Sequence, residues 1–142
     1  MSVTVGSDWE LEVFVPGKPA AQGSKRHVGH GRMIEQSKAV GPWRERVAYA
    51  ASQQRGGQII PRDVPLRVVL HFVMPRPASC PKRSTPAATK RPDADKMIRA
   101  VFDALTGVTW TDDSQVVAVS AFKRLAALDE TPGCHIRVAV TA

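Results

Sequence analysis

Five of the eleven prolines fall between Pro75 and Pro92. Proline removes a backbone donor and fixes φ, so this stretch fits neither a helix nor an interior strand. The core must therefore be assembled from the two flanks. On one side, Leu66, Val68, Leu70, Phe72 and Met74 alternate with other residues, the period of a strand with one apolar side. On the other, Ile98, Val101, Phe102 and Leu105 recur at helical spacing before Gly107, with Lys96, Arg99 and Asp103 on the opposite side. A loop of this length without regular structure is usually functional or disordered. It carries Lys82, Arg83, Lys90 and Arg91. Two readings stay open for it: a mobile basic loop beside a phosphate-bearing ligand, or a solvated linker.

The remaining pattern supplies more strands and one more helix. Glu10 to Val15 alternates and meets Pro16-Gly17, a strand ending in a turn. Gln22 to Glu35 reads as an irregular hairpin with its tip near Gly29-His30-Gly31. Pro42 suits the first position of a helix in which Trp43, Val47, Ala50 and Ala51 share a face, and Gly56-Gly57 ends it. Val108 to Thr111 is expected to be a short strand and Asp112-Asp113-Ser114 a turn. Gln115 to Lys123 and Cys134 to Val140 then read as two further strands. Two main helices among about five strands, not in strict alternation, predict an α+β fold with a small mixed sheet. Residues 1–142 fit a single domain.

Composition narrows the function. At 43% hydrophobic and 23% charged, the chain can bury a core. Its longest apolar runs fall far short of the ~20 residues of a membrane helix. Met1 to Asp8 has neither a basic start nor an apolar stretch, so no signal peptide is expected. Cys80 and Cys134 form neither a disulfide framework nor a zinc ligand set. The expectation is a soluble cytoplasmic protein with free thiols.

Twenty Lys and Arg against thirteen Asp and Glu give a net charge of +7, which attracts polyanions such as nucleic acid. Yet five of the thirteen acids, Asp93, Asp95, Asp103, Asp112 and Asp113, lie within twenty-one residues. Such clustering carries like-charge repulsion unless a cation sits among the carboxylates. Asp93-x-Asp95 and Asp112-Asp113 bracket one helix, and a short return strand could bring the second pair beside the first. Converging carboxylates would form a site for Mg²⁺, which takes one or two carboxylates together with waters and phosphate oxygens. Phosphodiester hydrolysis is the chemistry such a site supports. Each acid also has a plainer role. Asp95 could cap the helix, Asp93 could answer its dipole, Asp112-Asp113-Ser114 could be turn chemistry, and Asp103 could pair with Arg99 four residues away.

The run Arg91-Pro-Asp-Ala-Asp-Lys-Met-Ile-Arg-Ala-Val-Phe-Asp-Ala-Leu-Thr106, followed by Val108-Thr-Trp-Thr-Asp-Asp-Ser-Gln-Val-Val117, resembles the RusA-type endodeoxyribonucleases. These are Holliday junction resolvases common in phages and prophages. Their pattern is D-x-D-N, a basic residue three positions on, F/L-D-A-L, then W-x-D-D-x-Q-V-V. Phe14-Val-Pro-Gly-Lys-Pro19 also resembles the family's N-terminus. The resemblance is densest from Arg91 to Lys123. It implies a small homodimer that cuts four-way DNA junctions with Mg²⁺, Mn²⁺ being an alternative ion, in recombination and repair.

On this chain the family's metal-binding catalytic acids match Asp93, Asp95 and Asp113, with Asp112 close by. The family's helix lysine is here Arg99, and the Asn after D-x-D is Lys96. Arg99 is permanently charged and suits a phosphate clamp. Lys82, Arg83, Lys90, Arg91, Lys96 and Arg99 are the expected DNA contacts. Two alternatives remain at this level: a non-catalytic basic DNA-binding module, and an endonuclease of broader branched-DNA range.

Other residues attract less. His27 and His30 lack acid or Cys partners nearby, and His71 and His135 read as surface or satisfied sheet residues. Trp43 and Trp110 are expected in the core and Trp9 at the edge of the first strand. With only eight aromatics, no stacking platform for single strands is expected. Ser24, Ser37 and Ser114 show no His and acid partners for a triad.

Overall fold

The computed structural model describes residues 9–23, 25–28, 32–35 and 38–141. The first alternating run forms strand β1, Leu11–Pro16, with Leu11 and Val15 fully buried. Strands β2, Lys25–Val28, and β3, Arg32–Glu35, pair antiparallel as a separate hairpin. Val28 pairs with Arg32, and the expected tip at 29–31 lies outside the described residues. Helix α1, Val40–Arg55, buries Val40, Trp43, Val47 and Ala51. It starts two residues before Pro42, which takes the third helical position instead of the first. Amides in the first turn have no intrahelical acceptor, so proline is tolerated there too. Gly56 ends the helix in the left-handed region at φ 60°.

Strand β4, Leu66–Met74, sends Leu66, Val68, Leu70, Phe72 and Met74 into the core, as the alternation predicts. The proline-rich stretch after it has no helix or strand. Helix α2, Ala94–Leu105, buries Met97, Ala100, Val101, Ala104 and Leu105. The expected stripe is rotated slightly, since Ile98 and Phe102 are only half-buried at its border. Strands β5, Val116–Leu125, and β6, Gly133–Val140, complete the main sheet.

Its order is β1-β6-β4-β5. The β1–β6 and β6–β4 pairs are antiparallel, and β4–β5 is parallel, with α2 in the connection between them. This is an α+β fold with a mixed sheet and two helices. The helices pack on each other and on the face carrying the even-numbered side chains of β4. Trp43 and Trp110 are buried in that core. Cys80 and Cys134 are free thiols, and burial pushes the Cys134 pKa up to about 12. Among the described residues no helix is long and apolar enough to cross a membrane.

Candidate active site on the second helix

The chain turns from extended to helical at Asp93, two residues earlier than expected, and Asp93 is the N-cap of α2 (φ −71°, ψ 140°). Its carboxylate makes no cap hydrogen bond. The plainer reading of Asp95 as the cap is therefore not what the chain does, because Asp95 lies one residue inside the first turn and is exposed. The carboxylates of the D-x-D pair thus share the positive end of the helix dipole without engaging its amides. Lys96 Nζ stands 4.0 Å from Asp93 Oδ2. Arg99, one turn beyond Asp95, is exposed.

Two straps hold this helix end. Gln22 N donates to Lys96 O at 3.0 Å, and Arg44 Nη1 donates to Gln22 Oε1 at 2.6 Å. Arg44 also lies 4.0 Å from Asp103, so the partner of Asp103 is on α1 and not the expected Arg99. A cleft of about 410 Å³ runs between the Lys18–Gly23 segment and Arg91, Pro92, Asp93 and Lys96.

The second strap comes from a residue the sequence reading passed over. Lys123 Nζ donates to Lys90 O and Pro92 O, 2.9 Å each, and so fixes the chain just ahead of Asp93. A signal for it exists in the sequence. The alternation of β5 puts Lys123 on the same side as Ala121 and Leu125, and a lysine on a strand's inner side needs a polar target.

The proline-rich loop is organised from its base. Arg76 Nη1 donates to Thr85 Oγ1 at 2.9 Å and Ala126 O at 3.0 Å. Its Nη2 donates to Ser84 O at 2.8 Å and also to Pro81 O. Arg76 is thus used up inside the loop, while Lys82, Arg83, Lys90 and Arg91 are exposed.

The second acidic pair is built differently. Val108 to Thr111 is not the expected strand. The amides of Val108 and Thr109 bond back to Leu105 O at 3.1 and 2.8 Å, and Gly107 N bonds to Trp110 O at 2.7 Å. The chain curls at the end of α2, with Trp110 bridging to Ile60. A one-turn 3-10 helix, Asp113–Gln115, follows. Asp112 caps it by accepting from Ser114 N at 2.9 Å and meets Arg62 Nη1 at 3.3 Å. The Ser114 amide bond, chiefly, holds the Asp112 carboxyl below its ordinary pKa. Asp113 Oδ1 accepts from Thr106 Oγ1 at 2.5 Å and Trp110 Nε1 at 3.0 Å. Gln115, buried, accepts from Thr111 N and Asp112 N and donates to Pro61 O and Val64 O.

Asp113 is therefore tied to the C-terminal end of α2, and Asp93 and Asp95 sit at its N-terminal end. A twelve-residue helix is about 18 Å long. The return strand expected to bring the two pairs together does not form. Among the described residues no group of three or more His, Cys, Asp or Glu side chains is placed to hold a metal ion. What this end of α2 offers is the Asp93–Asp95 pair, two carboxylates of the kind that hold Mg²⁺ together with waters and phosphate oxygens.

The family model for endodeoxyribonuclease RusA matches residues 16–139, spanning both acidic pairs, the basic loop, both helices and nearly all of β4, β5 and β6. The chain belongs to the RusA endodeoxyribonuclease family. It is also 33% identical over 122 residues to the uncharacterized protein YqaN of Bacillus subtilis (strain 168), covering 80% of this chain and 86% of that protein. As a RusA-family member the chain is a nuclease, and its acids and basic loop are to be read in that light.

Proposed function

We propose that this RusA-family nuclease hydrolyses phosphodiester bonds in four-way DNA junctions, as a homodimer using Mg²⁺. The observation that supports this best is the D-x-D pair at the head of α2, where the Asp93 carboxylate makes no cap hydrogen bond and Asp95 is exposed. Asp93 and Asp95 would hold the ion. When bound, Mg²⁺ stabilises charge developing at phosphorus and lowers the pKa of a bound water. The chain's own residues do the rest. Arg99 clamps a phosphate oxygen one turn along the helix. Lys96 stands beside Asp93, and Lys123 keeps the Lys90–Pro92 backbone in place. Lys82, Arg83, Lys90 and Arg91 contact flanking phosphates, a sequence-independent attraction that weakens with salt.

A four-way junction has two-fold symmetry, so a C2 dimer presents one D-x-D pair to each of two opposed strands. Because α2 holds Asp113 at its far end, in this reading Asp113 would serve as a third carboxylate for the D-x-D pair of the partner subunit. Asp112, engaged by its cap and by Arg62, sits next to that third carboxylate and orients the turn.

The test is a labelled four-way junction and a matched linear duplex, each with Mg²⁺, Mn²⁺ or EDTA, alongside Asp95→Asn. The expected result is paired nicks in the junction alone, absent with EDTA and lowered at least about 100-fold by the substitution, the loss of one catalytic contribution of several kcal/mol. Cutting of duplex and junction alike would replace junction specificity with a broader nuclease. Junction binding without any cutting would sink the catalytic reading.

A further inference from the structure

On the sheet face turned away from the helices, His135 and Phe122 are exposed, and the face carries an arrangement the sequence does not announce. Each strand of the four-stranded sheet contributes one ring to a single row. Phe14 of β1 is in register with His135 of β6, His135 with His71 of β4, and His71 with Phe122 of β5. Successive ring centroids are 4.5, 6.0 and 5.9 Å apart. Strand spacing sets this repeat, because directly opposed residues on neighbouring strands lie about 5 Å apart. Phe122 is 57% exposed, an aromatic ring left in water at the sheet edge.

Cations border the row. Arg124 Nε donates to His71 Nε2 at 2.9 Å, and its Nη atoms hold Glu130. On the other border Arg137 pairs with Glu12 at 3.1 Å. Arg137 and Arg67 also lie over the Trp9 ring, 5.6 and 4.8 Å from its centroid. Arg67 has no carboxylate partner among the described residues. Between the borders runs a groove of about 370 Å³.

We infer that this face is a second nucleic-acid surface, on which unpaired bases of a single strand stack on the Phe14–His135–His71–Phe122 row while its phosphates meet Arg67 and the terminal nitrogens of Arg137. Aromatic rings bind any base through its π-face, and guanidiniums supply both charge and planar contact. Glu130 answers Arg124 and Glu12 answers Arg137, which leaves Arg67 as the cation of this face without a carboxylate among the described residues. A second copy of this chain would bring a further net charge of +7 to it, whereas a polyanion brings the complementary sign. The inference does not rest on the metal chemistry of α2, which lies across the sheet.

Fluorescence anisotropy in EDTA tests it on the full chain, free of any cutting. The probes are a labelled oligothymidine and an oligomer of abasic sites with the same number of phosphates. The protein is expected to bind oligothymidine about tenfold tighter than the abasic strand. Phe122→Ala should remove about tenfold of the oligothymidine affinity, the loss of one stacked base, and leave the abasic strand unchanged. Tyr49→Ala, which removes an exposed ring from α1, should change neither. If Phe122→Ala alters thermal unfolding, Phe122→Leu keeps apolar bulk without the ring and should lose the same base preference. Equal affinity for the two strands, or indifference of oligothymidine binding to Phe122, overturns the proposal. A dimer that dissociates on Phe122→Ala in sedimentation, with no change in base preference, gives the face to self-association and overturns it as well.

Discussion

Arg124 meets Glu130 through both terminal nitrogens, at 2.6 and 2.7 Å, and the Ala127 amide donates to the same carboxylate at 2.8 Å. The Arg124 bond, first, and that amide hold the Glu130 carboxyl down to about 2. A depressed carboxyl pKa adds stability that is present above the unfolded value and is lost as pH falls toward the folded one. The stability difference between the protein and Glu130→Gln should thus be constant above about pH 5 and shrink steadily toward pH 2. Urea unfolding at several pH values checks this. The difference will be small because the pair faces solvent. His71 works in the same direction, at higher pH. Burial, then Arg124 and His135, hold its imidazole below the ordinary value, so its contribution falls as pH drops through about 6.5.

Gln115 belongs to the same scale with larger consequences. Its amide serves four backbone groups on two segments, and Gln115→Ala leaves Thr111 N, Asp112 N, Pro61 O and Val64 O without it. A cost of roughly 2–4 kcal/mol is expected in denaturant unfolding. Gln115→Glu keeps the acceptor and should recover part of it.

At the scale of elements, the decisive part is the join between the proline-rich loop and α2. Lys123 reaches across from β5 to the two carbonyls that precede Asp93. Lys123→Met keeps the apolar stem and removes the donor. The fold should survive with a loss near 1 kcal/mol, while junction nicking should slow about tenfold through misplacement of the D-x-D pair. A variant that cuts normally would show that the loop holds its position by other means.

Elements also show what could be read in advance. Asp93 and Asp95 were legible as a unit because they are neighbours in the chain, although the cap fell on Asp93 and not on Asp95. β4 was legible because its period is local. The position of Asp113 was not, because turn or strand at Val108–Thr111 was decided by bonds to Leu105 and by the bridge from Trp110 to Ile60. The ring row was illegible for a related reason. His71 and His135 looked ordinary until the β4–β6 register set them opposite each other, and no residue in either strand encodes that register alone.

At the scale of the molecule, α2 is a spacer between two halves of a proposed metal set. Mixed dimers of Asp95→Asn and Asp113→Asn subunits separate the possible assemblies. If Asp113 serves the partner's pair, both substitutions fall in one site of the mixed dimer and the other site is intact. Co-refolding two inactive variants should then restore single-strand nicking of the junction to at most about half the sites. If each site were drawn from one chain, every mixed dimer would stay inactive.

The strand order carries one more consequence. β6 is the last strand among the described residues, yet it lies inside the sheet, between β1 and β4. A chain emerging from the ribosome can make β1 and the β4–α2–β5 unit, but these have no bond to each other across the gap. Leu11 must wait for Val138, and Leu66 for Val140. Closure over so long a separation is slow, and until it happens both flanking strands offer bare edges. β6 is thus a keystone, and a chain broken before Gly133 would hold β1 to the β4–α2–β5 unit only through the packing of α1, with no shared sheet.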